Sequence, residues 1–449
     1  MKKLRILLSL LVVICILFTT ACSANEDSGT NTTPDSNTET NVSTDDSGET
    51  DDTASDDANS NEGDSSELLM SVWAGPHADL QKVIVADYPN GSVTVDDVDY
   101  GNLMQKQLTS FQAASGSGNY DVVWVNSQWM RDYVESGYIL PIDDFVSESG
   151  LDTSIYAGGL INDCIFDDKL YGLPTYAQTM ILAYDSAVFE EEGLDVPTNL
   201  EELIEVAKHF KEQGSGIAVP AKQGGASSTL FSQLLYSDGG DYFDQDGNLN
   251  LTSEQAIYAA DAYKQLTEYA VEGSLAWHHD EVAEAVRTKV APIGIMMSGL
   301  ANQNTDPEKS LIVDTVAYAP LSGKDGKASA SNTFWVWAVA ANAQNPKAAY
   351  DFCAWMASPE IEKKQTLEDQ QISAITSLGE DTEVLEIVPF LPVVMEQLGG
   401  GKSDPQLTSF ATLKEGLIVT LSEIASTDIS AEEAMNKLQE SMKDVDFSK

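Results

Sequence analysis

The chain has 449 residues, with 24 Lys and Arg against 72 Asp and Glu, a formal charge of -48. That balance argues against nucleic acid as a partner, because phosphate binding wants a basic face, and against capture of an anionic ligand by bulk charge. With four cysteines and four histidines, no C-x-x-C and no His cluster, a structural zinc site is not expected, nor is a cofactor.

The first residues read "MKKLRILLSLLVVICILFTTACSAN". Lys2, Lys3 and Arg5 precede an apolar stretch from Leu7 to Phe18, then small residues and Cys22. This is the layout of a secretory signal, and the apolar stretch is short for a spanning helix. The Ala21-Cys22 end resembles a bacterial lipobox, in which the cysteine takes lipid (palmitate among the acyl groups) and becomes the first mature residue. Thr19 departs from that pattern, which usually has Leu there. Residues 1–22 are therefore read as a lipoprotein signal peptide, with lipidation at Cys22 and a mature chain anchored to the outer face of the cell membrane. A plain signal cut near Ala21 is the competing reading. Residues 23–67 contain no aromatic residue and no Lys or Arg. Such a segment cannot bury enough apolar surface to offset its ordering entropy, so a disordered acidic tether is expected.

From Leu68 onward short apolar strands alternate with amphipathic helices, the signature of α/β layers with largely parallel sheets. "ELLMSVWAG" reads as a strand, "ADLQKVIVADYP" as a helix and "GSVTVDDVDY" as a strand. In "VPTNLEELIEVAKHFKEQGSG" Thr198 and Glu201 suggest a capping box, and Leu203, Val206, Ala207 and Phe210 an apolar stripe. Ser430 and Glu433 suggest a second box. "DQDGNLNLTSEQ" alternates Asp and Asn as calcium ligands do, but Gly247 falls at the fourth position where an EF-hand wants it at the sixth; a hairpin turn at Asp246-Gly247 fits better. Cys164 and Cys353 are expected as buried free thiols, with a disulfide as the alternative. Trp124 and Trp355 are expected in the core. Of Trp335 and Trp337 one is expected to pack inside.

The ordered series of "DDKLYGLPTYAQTMILAYDSAVFEEEGLDVPTNLEELIEVAKHF", "YDVVWVNSQWMRDYVESGYILPIDDFV", "LYSDGGDYFDQDGNLNLTSEQA", "VAPIGIMMSGLA" and "FWVWAVAANAQNPKAAYDFCAWMASPE" resembles the extracellular solute-binding proteins of carbohydrate ABC importers, the group that includes maltose-binding proteins. The resemblance spans almost everything from Leu68 to the end. It implies a two-lobed periplasmic-binding-protein-like fold of type II, each lobe a mostly parallel sheet flanked by helices. It places lobe 1 at 68–178 and 335–370, lobe 2 at 179–333 and 371–449, and hinge crossings near Tyr176–Met180 and Ser331–Trp335. It also implies no enzymatic activity, a small-molecule solute, permease subunits as partners and a monomer.

In open α/β sheets ligands bind beyond the carboxyl ends of strands. That rule selects Trp73 and His77 after the first strand, and Asn126, Ser127, Gln128 and Trp129 after "VVWV". Amide and hydroxyl groups suit sugar hydroxyls, and an aromatic ring suits a sugar's C–H face. The resemblance adds Tyr176 and Gln178 from the hinge, Ser228 and Tyr236 from the second lobe, and Ser298 and Gly299. Leu300 and Ala301 stand where many members carry a stacking aromatic, and Trp277, Trp335 or Phe410 are the expected substitutes. Asn126 or Ser127 is also expected to cap the turn that follows. The function expected is capture of a neutral solute, foremost a sugar or oligosaccharide, and its delivery to an importer by hinge closure. A secreted glycoside hydrolase working with a carboxylate pair and a receptor feeding a membrane sensor are the alternatives.

Overall fold

The computed structural model describes residues 66–447 apart from 114, 115, 117 and 408. Cys22 and almost all of the acidic segment lie outside the described residues. The first strand starts at Ser66, so Ser66 and Glu67 belong to the fold and not to a tether ending at 67.

Among the described residues eleven strands carry the frame: β1 Ser66–Trp73, β2 Gly91–Val98, β3 Val122–Asn126, β4 Ile165–Phe166, β5 Lys169–Leu170, β6 Leu173–Gln178, β7 Met180–Asp185, β8 Ile217–Ala218, β9 Ile293–Met297, β10 Val316–Ala319 and β11 Thr333–Val339. They form a five-stranded sheet in the order β2-β1-β3-β11-β6, a four-stranded sheet in the order β10-β7-β9-β8, and the small β4-β5 hairpin. All five residues of β3 are buried, so both faces of the first sheet are covered at its centre. The sheets are mixed, not mostly parallel. β1 pairs in parallel with β2 and β3, but β11 runs antiparallel to β3 and β6, and β7 antiparallel to β9 and β10. The antiparallel members, β7 and β11, are the strands by which the chain enters one sheet from the other.

Two crossings join the sheets where the hinges were expected. Only Thr179 separates β6 from β7. Its N–H donates to Ser298 Oγ (3.1 Å), and the Ser298 N–H donates to its carbonyl (2.8 Å). Residues 320–332 return the chain from β10 to β11. Lys402 brings a third segment to the same place, donating to the Ala330 carbonyl (3.0 Å) and accepting from the Asn332 N–H (2.9 Å). Gln233, fully buried in the helix Gly225–Ser237, ties these threads together. Its Oε1 accepts from Thr179 Oγ1 (3.2 Å) and the Ser331 N–H (2.9 Å), and its Nε2 donates to the Ser329 carbonyl (2.8 Å). Residues 371–375, expected with the second lobe, run beside first-sheet segments. The Ala177 N–H donates to the Ile372 carbonyl and the Ala157 N–H to the Ala374 carbonyl, both at 2.9 Å.

Local expectations meet the structure unevenly. Leu203, Val206, Ala207 and Phe210 are buried on the helix Leu200–Glu212. Its cap is Asn199, whose Oδ1 accepts from the Glu202 N–H (2.9 Å), while Glu202 and not Glu201 reaches back to Thr198. Ser430 caps its helix by accepting from the Glu433 N–H (3.1 Å). Around Gly247 the chain turns as expected, and Asp244 Oδ1 accepts the N–H groups of Asp246 and Asn248. Cys164 and Cys353 are free and buried. Trp335 and Trp337 both lie inside, since residues two apart on a strand share one face. Trp355 is half-buried, against Tyr88 and Phe352. No helix among the described residues is long and apolar enough to cross a membrane.

Candidate functional site

The strands of the first sheet end in a cluster of rings. β1 ends at Trp73; Gly75, at φ 144°, a conformation L side chains rarely adopt, lets the chain turn into the helix Pro76–Ile84, which carries His77. β2 is followed by Tyr100, first residue of the helix Tyr100–Gln112. β3 runs into the short turn Ser127–Trp129. Tyr176 and Gln178 lie at the end of β6, and Trp335 near the start of antiparallel β11, so all reach the same edge.

The rings pack in pairs. Trp73 stacks on Trp335 (centroids 5.7 Å apart, 17° between planes), and Trp129 stacks on Tyr100 (5.8 Å, 26°). Trp129 and Tyr100 each meet Trp335 edge-on, at 5.9 and 6.1 Å. Beneath them Trp124 packs against Trp335 (4.6 Å) and Trp337 (5.5 Å); across strands β3 and β11 Trp337 is the partner of Trp124 and Trp335 that of Asn126. Each such pair contributes about 0.5–1.5 kcal/mol beyond its buried area, so the floor is rigid. Trp124 and Trp335 are buried, Trp73 and Trp129 half-buried, and Tyr100 is 48% exposed. The exposed faces are thus presented from a buried aromatic base.

Polar groups border the rings. The His77 ring lies 5.0 Å from Tyr176 and 5.7 Å from Trp73, and its Nδ1 is hydrogen-bonded to Asp369 Oδ2. Burial pushes the Asp369 carboxyl up, but the bonds from His77 and Gln371 outweigh it and hold it below the usual range. Gln178 Nε2 donates to Tyr176 Oη. Burial pushes the Tyr176 phenol up to about 12, so it stays a neutral donor and acceptor. The second sheet closes on this pair through Gly299: a Cβ there would stand 2.8 Å from Gln178 Nε2 and 3.2 Å from Tyr176 Oη. Beside the cluster, Gln128, Asp132, Asp404, Gln406, Phe410 and Lys414 line a cavity of about 340 Å³. Lys414 Nζ sits 3.2 Å from Asp404, and the Arg131 N–H donates to Gln406 Oε1 (2.8 Å).

Of the residues singled out from the sequence, Trp73, His77, Trp129, Tyr176, Gln178, Gly299 and Trp335 come together here. Ser298 lies next to them but spends its hydroxyl on the Thr179 N–H. Gln128 is exposed on the rim of the cavity. Others are held by the fold. Asn126 caps the turn, accepting from the Gln128 N–H (3.0 Å). Ser127 is fully buried, its Oγ accepting from the Phe334 N–H (3.3 Å). Ser228 is fully buried and donates to the Gly225 carbonyl within its own helix. Tyr236 and Phe410 pack against Tyr242, with Tyr236 Oη on Asp404 (3.3 Å) and Lys402 Nζ 4.6 Å from its ring; Phe410 still borders the cavity. Trp277 stands beside Gly273, its carbonyl accepting from the Lys222 N–H (3.0 Å), and its ring is not among those that pair in the cluster. Tyr100, Asp369 and Gln371 were not singled out. The strand-end rule points to Tyr100, which follows a strand and opens a helix; no local signal marks Asp369. Among the described residues no group of three or more His, Cys, Asp or Glu could hold a metal ion.

The sequence profile described as bacterial extracellular solute-binding protein matches residues 74–363. The chain belongs to this family. A probable amino-acid ABC transporter periplasmic-binding protein of Sinorhizobium fredii is 23% identical over 326 residues, 68% of this chain and 72% of that one. The mannitol-binding protein of Pseudomonas aeruginosa is 24% identical over 267 residues, 57% of this chain and 60% of that one. Among solved structures the sugar-binding protein MalE from Xanthomonas citri superposes with a TM-score of 0.73 at 16% identity, over 84% of this chain and 96% of that one. A solute-binding protein from Agrobacterium radiobacter in complex with ribitol gives 0.67 at 23% identity, over 84% and 97%. These likenesses establish the two-lobed α/β fold expected from the sequence.

Proposed function

We propose that this protein captures a neutral, hydroxyl-rich solute, a sugar or oligosaccharide, against the Trp73–Tyr100–Trp129 rings and hands it to the permease of an ABC importer. The observation that carries the reading is the combination at one sheet edge: half-exposed ring faces for C–H surfaces, with imidazole, amide and phenol groups beside them for hydroxyls. A mannitol-binding and an arabinooligosaccharide-binding relative and a structural neighbour in complex with ribitol support the same class. Residues 68–178 with 335–370, and 179–333 with 371–449, act as the two lobes, with 371–375 as a strap along the first. The solute binds the closed arrangement more tightly and shifts the population toward it. The chain acts as a monomer, performs no covalent chemistry and is held at the outer face of the membrane by lipid on Cys22.

Tryptophan fluorescence titrations with D-mannitol, ribitol, maltose, maltotriose and a set of amino acids test the ligand class. Saturable binding of a polyol or sugar, recovered unchanged, is the expected result. Binding confined to amino acids, or conversion of the sugar, would overturn it. For the anchor, the mass of the membrane-associated chain should show diacylglyceryl addition, lost in Cys22→Ala.

A further inference from the structure

The His77–Asp369 pair joins two parts of the chain 292 positions apart, and its geometry is set from both sides. On one side the imidazole is wedged among the rings of Trp73, Trp124 and Tyr176, with 18% of its side chain exposed. On the other, Asp369 is the last residue of the helix Pro359–Asp369. Gln370 follows in the left-handed conformation (φ 53°), and Gln371 turns back to donate its Nε2 to the same Asp369 Oδ2 (3.2 Å). The carboxylate is therefore aimed before it meets His77. Among the described residues, Nε2 of His77 has no protein partner.

We propose that Asp369 is a positioning residue for solute recognition: by holding a proton on Nδ1 of His77 it leaves Nε2 as a hydrogen-bond acceptor for a solute hydroxyl. The inference rests on the ring cluster being the solute site. An ionised carboxylate can only accept, so the ring nitrogen facing it must carry hydrogen. In the neutral imidazole the other nitrogen is then an acceptor, its orientation fixed as in His–carboxylate pairs at metal sites. The bonds that hold Asp369 below the usual carboxylate range favour its ionised form. An acceptor at this place matches the O–H of a polyol or sugar. It sets lone pair against lone pair for a carboxylate or phosphate oxygen, so the pair selects against anionic solutes as well as for hydroxyls.

The test is the tautomer of His77, read from imidazole ¹⁵N shifts of the folded, solute-free protein at a pH where the ring is neutral, together with affinities for D-mannitol and maltose. The expected result is a proton on Nδ1 in wild type and loss of that preference in Asp369→Ala, with affinity reduced about tenfold, the scale of one hydrogen bond to a well-placed polar group. His77→Gln puts an amide where Nε2 stands and His77→Asn puts one where Nδ1 stands; the first should keep clearly more affinity than the second. Solute binding by a wild-type ring protonated on Nε2, or equal losses in the two amide variants, would overturn the proposal alone. Failure of the wild type to bind either solute would overturn the reading of the site and the proposal with it.

Discussion

Replacing Trp129 by alanine removes the ring that most directly joins the floor of the site to its open face. Trp129 stacks on Tyr100, meets Trp335 edge-on and lies 6.5 Å from Tyr133. Fully buried Trp→Ala changes cost about 3–5 kcal/mol; the ring here is half-buried, so a stability loss of about 1–2 kcal/mol is expected. The cost to binding is larger in proportion. A solute covering the exposed half of the ring would bury apolar area worth about 1–2 kcal/mol, which corresponds to roughly a 5- to 30-fold rise in Kd. Thermal unfolding and isothermal titration with the tightest solute found for the wild type separate the two effects. A folded variant with wild-type affinity would refute the assignment of this ring to the solute.

Gly299→Ala should cost little stability, because the nearest atom, Gln178 Nε2, is the end of a flexible side chain, but it should displace the Gln178–Tyr176 bond and weaken binding by about 1 kcal/mol, measured by titration. Gln233→Leu removes the partner of the buried Ser331 N–H and two further bonds at the crossings, and should lower stability in denaturant unfolding by about 2–4 kcal/mol. Glu362 is buried, and burial raises its carboxyl from 4.5 to about 7, although Thr175 and Ser373 donate to it. Because the folded value is raised, the stabilisation is complete below about pH 4.5 and is lost as pH rises through 7, amounting to about 3 kcal/mol across that window. Over pH 4–8 the unfolding free energy of the wild type should fall as pH rises through this window, and that fall should be missing in Glu362→Gln; the same slope in both proteins would contradict the burial argument.

Strand and helix positions were legible where periodicity and caps were strong, as in Leu200–Glu212, and so were the two hinge crossings carried by the family resemblance. The direction of β7 and β11 was not legible, because an apolar run is the same for a parallel or an antiparallel neighbour. Within the site, Trp73, His77 and Trp129 follow from the strand-end rule, and Tyr100 answers to the same rule. Asn126 and Ser127 show its limit: short polar side chains at strand ends satisfy local backbone groups as readily as they face a ligand, and here the backbone engages them, as it does Ser228, which the family resemblance had added. Tyr236 was expected from the family resemblance and Phe410 as a substitute for the family's stacking aromatic; both pack against Tyr242 in the second core. Asp369 was invisible because its role depends on a partner 292 residues away, a distance that only the tertiary fold closes.

The account's central claim is that a neutral polyhydroxylated solute lies on the Trp73–Tyr100–Trp129 rings. A crystal structure grown with the tightest-binding solute of the panel tests it most directly. The account predicts the solute's C–H face within van der Waals distance of those rings and a hydroxyl on His77 Nε2. Density for the solute elsewhere, such as the groove lined by Val196, Pro197 and Tyr258, with the ring faces bare, would contradict it.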